Sequence, residues 1–376
     1  MIGPLDETEN ANPFGVFLPE VRDLLPVGHA RPRADHPLVP WKDESHTHQW
    51  VDVDHAGQQL DRFEQCLRDE LPGLLLPKER GHLIVVTGPV GMGKTTLIHR
   101  CVQRAHEYLQ ELSRHFEEQA RPNLAPRPVV AMAGGYKNGG EEVSWDGRGN
   151  FADTQEINAA IRDKLVETLE EEFPGVSLDP SVTGDDVRGA FSSISKLLAQ
   201  QNSVLFAIVP HIDWRDAGGE VRTNFLKTWL SHAQSRIVLF VEISHQNPRT
   251  AGEVIAGLPT NTAVTHLSLG SLATEDTVKF TEAARGGHPE PEDAPPLPAI
   301  PGQGQGPGPG PAPAQDPWRH ADVRYLRQEC FRVAERQRLA GGRVRVTAAD
   351  LAAPTLDSAD LGRASADPAR PPRRPA

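Results

Sequence analysis

The stretch from His82 to Thr96 carries the residues with the clearest chemistry, because an apolar run there breaks into a glycine-rich turn. Its glycines, lysine and threonine fit the spacing G-x-x-x-x-G-K-[ST]. Such glycines let backbone N–H groups curl round phosphates, and the next helix presents its positive N-terminal end. The motif predicts that Lys94 reaches the β- and γ-phosphates and that the Thr95 hydroxyl holds Mg²⁺. The predicted nucleoside triphosphate site consists of Gly88, Pro89, Val90, Gly91, Met92, Gly93, Lys94, Thr95 and Thr96.

A second candidate part of the site follows the apolar run at residues 203–209. Phosphoryl transfer usually needs a carboxylate that holds the metal ion and a group that orients the attacking water. Asp213 is the candidate metal ligand, and capping of the next loop is the alternative. His211 is the candidate for orienting water, and a structural hydrogen bond is the alternative. Glu242 and Ser244, in the next apolar run, are further polar candidates for a functional or a structural role.

Five short apolar runs alternate with helical patterns along the chain. Continuous apolar runs are typical of strands buried on both faces of a parallel sheet. Strands that alternate with crossover helices indicate a doubly wound arrangement. The sequence therefore predicts an α/β fold, a P-loop NTPase three-layer sandwich with a mostly parallel sheet. The runs begin near residues 82, 127, 203, 236 and 264, and the main helical patterns lie near 54–71, 96–120, 154–173, 187–198 and 225–230.

Over residues 54–285 and 318–352 the chain resembles the AAA+/STAND group of P-loop ATPases. Besides the P-loop, residues 267–276 resemble the turn from the last core strand into a helical lid, and residues 322–334 and 346–351 resemble later lid helices. The resemblance implies that ATP and Mg²⁺ are bound between the core and the lid. It also implies that Arg324 touches the γ-phosphate as the sensor-2 arginine, with Arg327 as the next choice.

The resemblance and the composition together predict how the chain is divided. The predicted parts are an extended N-terminal arm at 1–53, a P-loop NTPase core at 54–271, a helical lid at 272–285 and 318–362, a Pro/Gly-rich disordered insertion at 286–317 and a disordered tail at 363–376.

The Walker B part of the family pattern is altered in this chain. Pro210 and His211 stand where two acids are expected, and only Asp213 is kept. Proline cannot coordinate a metal ion, so either Asp213 reaches the ion or the site binds nucleotide with little hydrolysis. The strand beside Walker B is where related proteins place a polar sensor of the γ-phosphate, and Glu242 or Ser244 would occupy that place.

Composition narrows the class of partner and the compartment. The net charge of −12 and a pI near 5.7 argue against a surface that tracks nucleic acid throughout, although a local basic patch is compatible with them. Cys66, Cys101 and Cys330 have no metal-ligand spacing, which indicates free thiols in a reducing compartment. No signal peptide and no apolar run near the ~20 residues of a membrane span are recognisable. We expect a cytoplasmic protein without membrane contact.

Several functions fit these features. The first is a nucleotide-dependent switch with weak or partner-dependent ATP hydrolysis, so that whether the chain is an ATPase stays open. The second is a non-hydrolysing scaffold or regulatory subunit whose output comes from a protein partner or from self-association. The third is a DNA-associated AAA+ loader, which is disfavoured because no basic module follows the lid pattern. A small-molecule kinase is also disfavoured, because no compact substrate lid follows the P-loop.

Overall fold

The structure, a computed structural model, describes the greater part of the predicted core and segments of the arm and lid. These are residues 12–15, 37–42, 44–76, 80–119, 125–132, 136–137, 141–142, 154–176, 178, 182, 186–209, 219–244, 248–258, 264–272, 276, 279–280, 322–341, 344–347 and 350–351 of the 376. The predicted insertion at 286–317 and the tail at 363–376 lie outside the described residues.

Five parallel strands form the central sheet. They are β1 (His82–Gly88), β2 (Arg127–Met132), β3 (Ser203–Ile208), β4 (Ile237–Ser244) and β5 (Val264–Ser268). Their order across the sheet is β2-β3-β4-β1-β5, so β4 lies between the strand that leads into the P-loop and the strand that leads towards Asp213. The runs predicted from the sequence are all strands, and the sheet is parallel throughout. A separate two-stranded antiparallel ribbon pairs Tyr136–Lys137 with Glu141–Glu142.

Seven α-helices surround the sheet or form the lid within the described part of the chain. They are α1 (Asp54–Leu74), α2 (Lys94–Glu118), α3 (Thr154–Glu172), α4 (Val187–Gln200), α5 (Gly219–His232), α6 (Pro248–Ala256) and α7 (Val323–Leu339). A 3₁₀ helix at Glu44–Gln49 precedes them. Among these described helices, none combines the length and the apolarity that a membrane crossing requires.

The alternation of side chains along the strands divides the core into two layers. Leu83 and Val85 of β1 face the cluster formed with helices α3 to α6. Ile84 and Val86 face the opposite cluster, which α1 and α2 cover. Both faces of the sheet are therefore buried, and this explains why the strand sequences are continuously apolar. The α/β three-layer sandwich predicted from the sequence is confirmed.

A third apolar cluster joins the N-terminal arm to the lid. Phe14 and Val53 of the arm pack with Leu326 and Cys330 of α7 and with Phe280. The arm also contacts the core, because the Trp41 indole Nε1 donates to His99 Nδ1 of α2 at 3.1 Å. The described arm segments thus touch both neighbours. The exact domain boundaries remain predictions.

Candidate functional site

The P-loop, residues Gly88–Thr95, joins the end of β1 to the first turn of α2. Gly91 and Gly93 have left-handed backbones, with φ of 83° and 86°, where a side chain would be strained. Gly93 is the N-cap of α2, and its carbonyl accepts the Leu97 N–H at 2.8 Å. A glycine cap offers no side-chain oxygen to the first N–H groups of α2, so these groups can bind an anion together with the positive helix end.

Lys94 is held inside this turn. It is 5% exposed, and its Nζ donates to the Pro89 carbonyl oxygen at 2.8 Å. Burial lowers the pKa of Lys94, the charge of Glu242 opposes that shift and the charge of Arg324 adds to it. Arg324 is exposed, yet its charge is near enough to influence the lysine. The two cations thus share one neighbourhood, as a phosphate-binding site requires.

Thr95 hydrogen-bonds to a carboxylate from the neighbouring strand. Its Oγ1 donates to Glu242 Oε2 at 2.7 Å. Glu242 lies on β4 opposite Val86 of β1 and is 7% exposed. Hydroxyl and carboxylate oxygens are the donors that Mg²⁺ accepts, usually with phosphate oxygens and waters completing the shell. This pair therefore fits a magnesium ion that arrives with a nucleotide.

Helix α7, which belongs to the predicted lid, begins directly on the P-loop. The Arg324 backbone N–H donates to the Gly91 carbonyl oxygen at 3.0 Å. Asp322 caps α7 by accepting the Tyr325 N–H at 2.6 Å, and a Cβ on Gly91 would lie 2.3 Å from an Asp322 carboxylate oxygen. Only a glycine at position 91 allows this approach without displacing the Asp322 side chain. The first turn of α7 is consequently seated on the loop that is predicted to bind phosphates.

Arg327, the second choice for the sensor arginine, has a different set of contacts. It is 8% exposed, and its Nε donates to the Phe14 carbonyl oxygen at 3.2 Å. Its Nη2 donates to Gln49 Oε1 at 3.0 Å. Arg327 therefore ties the arm to the lid, whereas Arg324 lies beside the P-loop. Which of the two arginines touches a bound phosphate stays a prediction.

An open pocket adjoins the P-loop. Its lining includes Met92, Gly93 and Thr96, in or next to the P-loop, together with Phe280 and Trp50, whose ring centroid lies 4.3 Å from the Arg100 guanidinium carbon. The other lining residues are Leu38, Gln49, Val51, Val53, Ala56, Leu97, Arg100, Val323 and Arg327. Arm, core and lid all contribute to this pocket.

The remaining predicted site residues cannot be located in the same way. Asp213, His211 and Pro210 lie outside the described residues, so their predicted roles stay predictions. Within the described ranges there is no cluster of three or more His, Cys, Asp or Glu side chains that could hold a metal ion alone. Pro89, Val90, Met92 and Thr96 lie in or next to the P-loop as predicted, and the Val90 side chain is 55% exposed.

Sequence reasoning identified Glu242 as a candidate but did not pair it with Thr95. The signal was one acid in an otherwise apolar strand. The pairing depends on β4 lying beside β1, and strand order is not written in the local sequence. The contact of α7 with Gly91 is also long-range, since more than two hundred residues separate Gly91 from Arg324.

Comparison with known proteins gives fold likenesses alone. No protein-family model and no curated protein sequence matches the chain. Among solved structures, the Aeropyrum pernix ORC1 protein in complex with DNA has 14% identity, covers 80% of this chain and 64% of its own, and has a TM-score of 0.42. The Aeropyrum pernix ORC2 protein has 16% identity, coverages of 60% and 50%, and a TM-score of 0.36. Cdc6p from Pyrobaculum aerophilum has 13% identity, coverages of 78% and 65%, and a TM-score of 0.34.

These likenesses are too low to assign an activity. The chain spans only half to two thirds of the length of those solved chains. What the described residues define by themselves is an α/β fold in which helix α7 begins on the Gly-rich loop that follows β1.

Proposed function

We propose that this chain is an ATP-binding, AAA+/STAND-like switch with weak or partner-dependent ATP hydrolysis. One observation carries the proposal: the lid helix α7 begins on the P-loop, where the Arg324 N–H meets the Gly91 carbonyl. A ligand bound in the P-loop would touch core and lid at once. Nucleotide occupancy can then control how the lid is held, as in other triphosphatases with ordered and loosened states.

The proposed mechanism depends on charge. Lys94 and Arg324 repel each other electrostatically, since the charge of Arg324 disfavours the protonated lysine. A γ-phosphate between them would replace that repulsion by two attractions, and its loss would restore the repulsion and release the lid. Magnesium would neutralise phosphate charge when bound, held by Thr95 and, in the sequence-based prediction, by Asp213. The base would occupy the pocket beside Trp50.

Weak hydrolysis is proposed because Pro210 and His211 stand in the places that the family pattern gives to acids. If His211 does not orient a water, the chain is the non-hydrolysing scaffold or regulatory subunit. In that case a protein partner or a second copy would receive the signal. A DNA-associated loader remains the second alternative, and the proposed compartment is the cytoplasm.

Nucleotide titrations of the wild type, Lys94→Ala and Lys196→Ala test the binding proposal. Lys196 is exposed on α4, so its variant controls for the loss of a positive charge. We expect Lys94→Ala to weaken ATP binding by at least about a hundredfold, because a charge-assisted phosphate contact is lost. Lys196→Ala should bind like the wild type. Equal affinities in all three proteins would reject the P-loop as the nucleotide site.

Phosphate release under the same conditions separates the switch from the scaffold. Turnover above the Lys94→Ala background supports the hydrolysing switch, and equal signals support the scaffold. Competition between ATP and GTP tests the base preference. DNA binding that weakens steeply with rising salt would favour the loader.

A further inference from the structure

We infer that Glu242 of β4 supplies the protein carboxylate for the magnesium ion that accompanies the nucleotide. This inference rests on the proposed nucleotide-binding function and goes beyond it. The family resemblance assigns that carboxylate to the end of β3, where the sequence offers Asp213. The geometry points instead to the adjacent strand.

The first argument is the contact with Thr95. In P-loop triphosphatases the metal is held by this P-loop hydroxyl and by an acid. Here the Thr95 hydroxyl is already 2.7 Å from a carboxylate oxygen of Glu242. Two neighbouring oxygen ligands of Mg²⁺ lie about 3 Å apart, because the ion binds oxygens at about 2.1 Å in octahedral geometry. The oxygens of Thr95 and Glu242 therefore already have the spacing of two neighbouring ligands of Mg²⁺.

The second argument is the cost of a buried charge. Glu242 is 7% exposed in a strand whose other members are apolar except Ser244. A buried carboxylate is unfavourable unless a cation or several hydrogen bonds compensate it. Lys94 interacts with Glu242 electrostatically, but its ammonium is predicted to turn to the phosphates, and a metal ion would then balance the carboxylate.

The third argument is the position of Glu242 along the sheet. Ile208 of β3 pairs with Phe240 of β4, and Glu242 comes two residues after Phe240. In the sequence Pro210 likewise comes two residues after Ile208, at the place of the missing acid. The acid is thus displaced sideways by one strand, not along the chain. Because β4 pairs directly with β1, this displacement brings it to the P-loop.

The test measures the affinity for a non-hydrolysable ATP analogue by calorimetry, once with Mg²⁺ and once with EDTA. The wild type should bind more tightly with Mg²⁺. Glu242→Gln keeps the size of the side chain and an oxygen that can accept from Thr95, but it loses the charge. We expect the factor by which Mg²⁺ raises the affinity to be at least about tenfold smaller for Glu242→Gln than for the wild type. The affinity of Glu242→Gln in EDTA should not fall.

One control variant accompanies this measurement. Glu329→Gln removes another buried carboxylate, on α7, which bonds to Arg332 and is 5% exposed. It should keep the magnesium-dependent gain. Titration of the nucleotide complex with Mn²⁺, followed by electron paramagnetic resonance, reports the metal affinity without any turnover.

The outcomes are separable. If the wild type binds nucleotide in neither buffer, the proposed function fails and the inference with it. If the wild type shows no gain with Mg²⁺, or if Glu242→Gln keeps the full gain, the inference is overturned and nucleotide binding stands. Should Glu242→Gln not fold, as judged by circular dichroism, Glu242→Asp replaces it. The shorter acid should weaken Mn²⁺ binding by at least about tenfold, and unchanged binding would overturn the inference.

Discussion

Strand β4 and the start of helix α7 both contact the P-loop, but they use different atoms and different surroundings. The β4 contact joins two side chains, Thr95 and Glu242, inside the core. The α7 contact joins main-chain atoms of Arg324 and Gly91, and the Arg324 side chain is exposed. β4 is held on both edges by β1 and β3, whereas α7 is held by a small lid cluster.

The difference indicates which side of the site can move. A strand paired on both edges cannot shift without breaking ladder hydrogen bonds, so β4 is the fixed wall of the site. The first turn of α7 is not part of such a ladder, so we expect it to leave the P-loop at a smaller cost. We therefore expect substitutions at the β4 contact to change metal binding, and substitutions at the α7 contact to change how the lid responds to nucleotide.

The largest expected effect comes from Gly91→Ala. The backbone of Gly91 is left-handed, and the added Cβ would collide with the Asp322 carboxylate that caps α7. We expect a loss of about 2 to 3 kcal/mol in unfolding free energy, from backbone strain and the disturbed cap together. Urea titration of the nucleotide-free protein measures it.

Gly175→Ala is the matched control. Gly175 has φ of 84°, close to that of Gly91, but a Cβ there would meet nothing within 4 Å. It should cost only about 1 to 2 kcal/mol, the strain of a left-handed backbone. Equal losses for both variants would mean that the contact of α7 with the P-loop contributes nothing to stability.

These two glycines also mark how far the sequence could predict the site. The P-loop, the five strands and the helices on both faces follow from local spacing and apolar patterns. The clash of a residue at position 91 with Asp322 does not, since it depends on how a distant helix packs. The same limit applies to the hydrogen bond from Arg327 to the Phe14 carbonyl oxygen, which the sequence did not predict. Both are long-range tertiary contacts, which no local pattern encodes.

The second prediction concerns the buried acid in the fixed wall. Glu242→Met replaces it by an apolar side chain of similar volume. We expect the nucleotide-free protein to lose about 1 to 2 kcal/mol of unfolding free energy, because the Thr95 hydroxyl loses its acceptor and the buried Lys94 loses a compensating charge. Unchanged or raised stability would show that the carboxylate contributes nothing to the fold. Urea titration in EDTA makes this measurement.

The third prediction separates the two lid arginines. Arg324→Ala should bind ADP like the wild type but bind the non-hydrolysable ATP analogue about tenfold more weakly, since only the γ-phosphate contact is lost. Arg327→Ala should instead lower the unfolding free energy by about 1 to 3 kcal/mol, because the buried Phe14 carbonyl and Gln49 lose their partner. The reverse pattern would transfer the sensor role to Arg327.

The smallest expected effect is a pH dependence of the unfolding free energy. It comes from His99 of α2, on the same side of the site as β4. Burial lowers the pKa of His99 to about 3, Lys42 and His46 act in the same direction, and Glu242 opposes them. In the unfolded chain His99 therefore binds a proton as the pH falls through about 6.5, whereas in the folded chain it stays neutral down to about pH 3. The unfolding free energy consequently falls as the pH falls from about 6.5 towards 3. Between pH 6.5 and 5.5 this one group accounts for about 1 kcal/mol.

His99→Gln should remove that share of the pH dependence, and its amide oxygen can still accept from the Trp41 indole. His115→Gln, at an exposed position on the same helix, is the control. Urea titrations at pH 7.5, 6.5 and 5.5 compare the three proteins. If His99→Gln keeps the wild-type pH dependence of the unfolding free energy, His99 of the wild type takes up its proton in the folded state as readily as in the unfolded state. The interior around His99 would then be less tightly packed than the structure indicates. The distinction between a fixed β4 side and a movable α7 side would weaken.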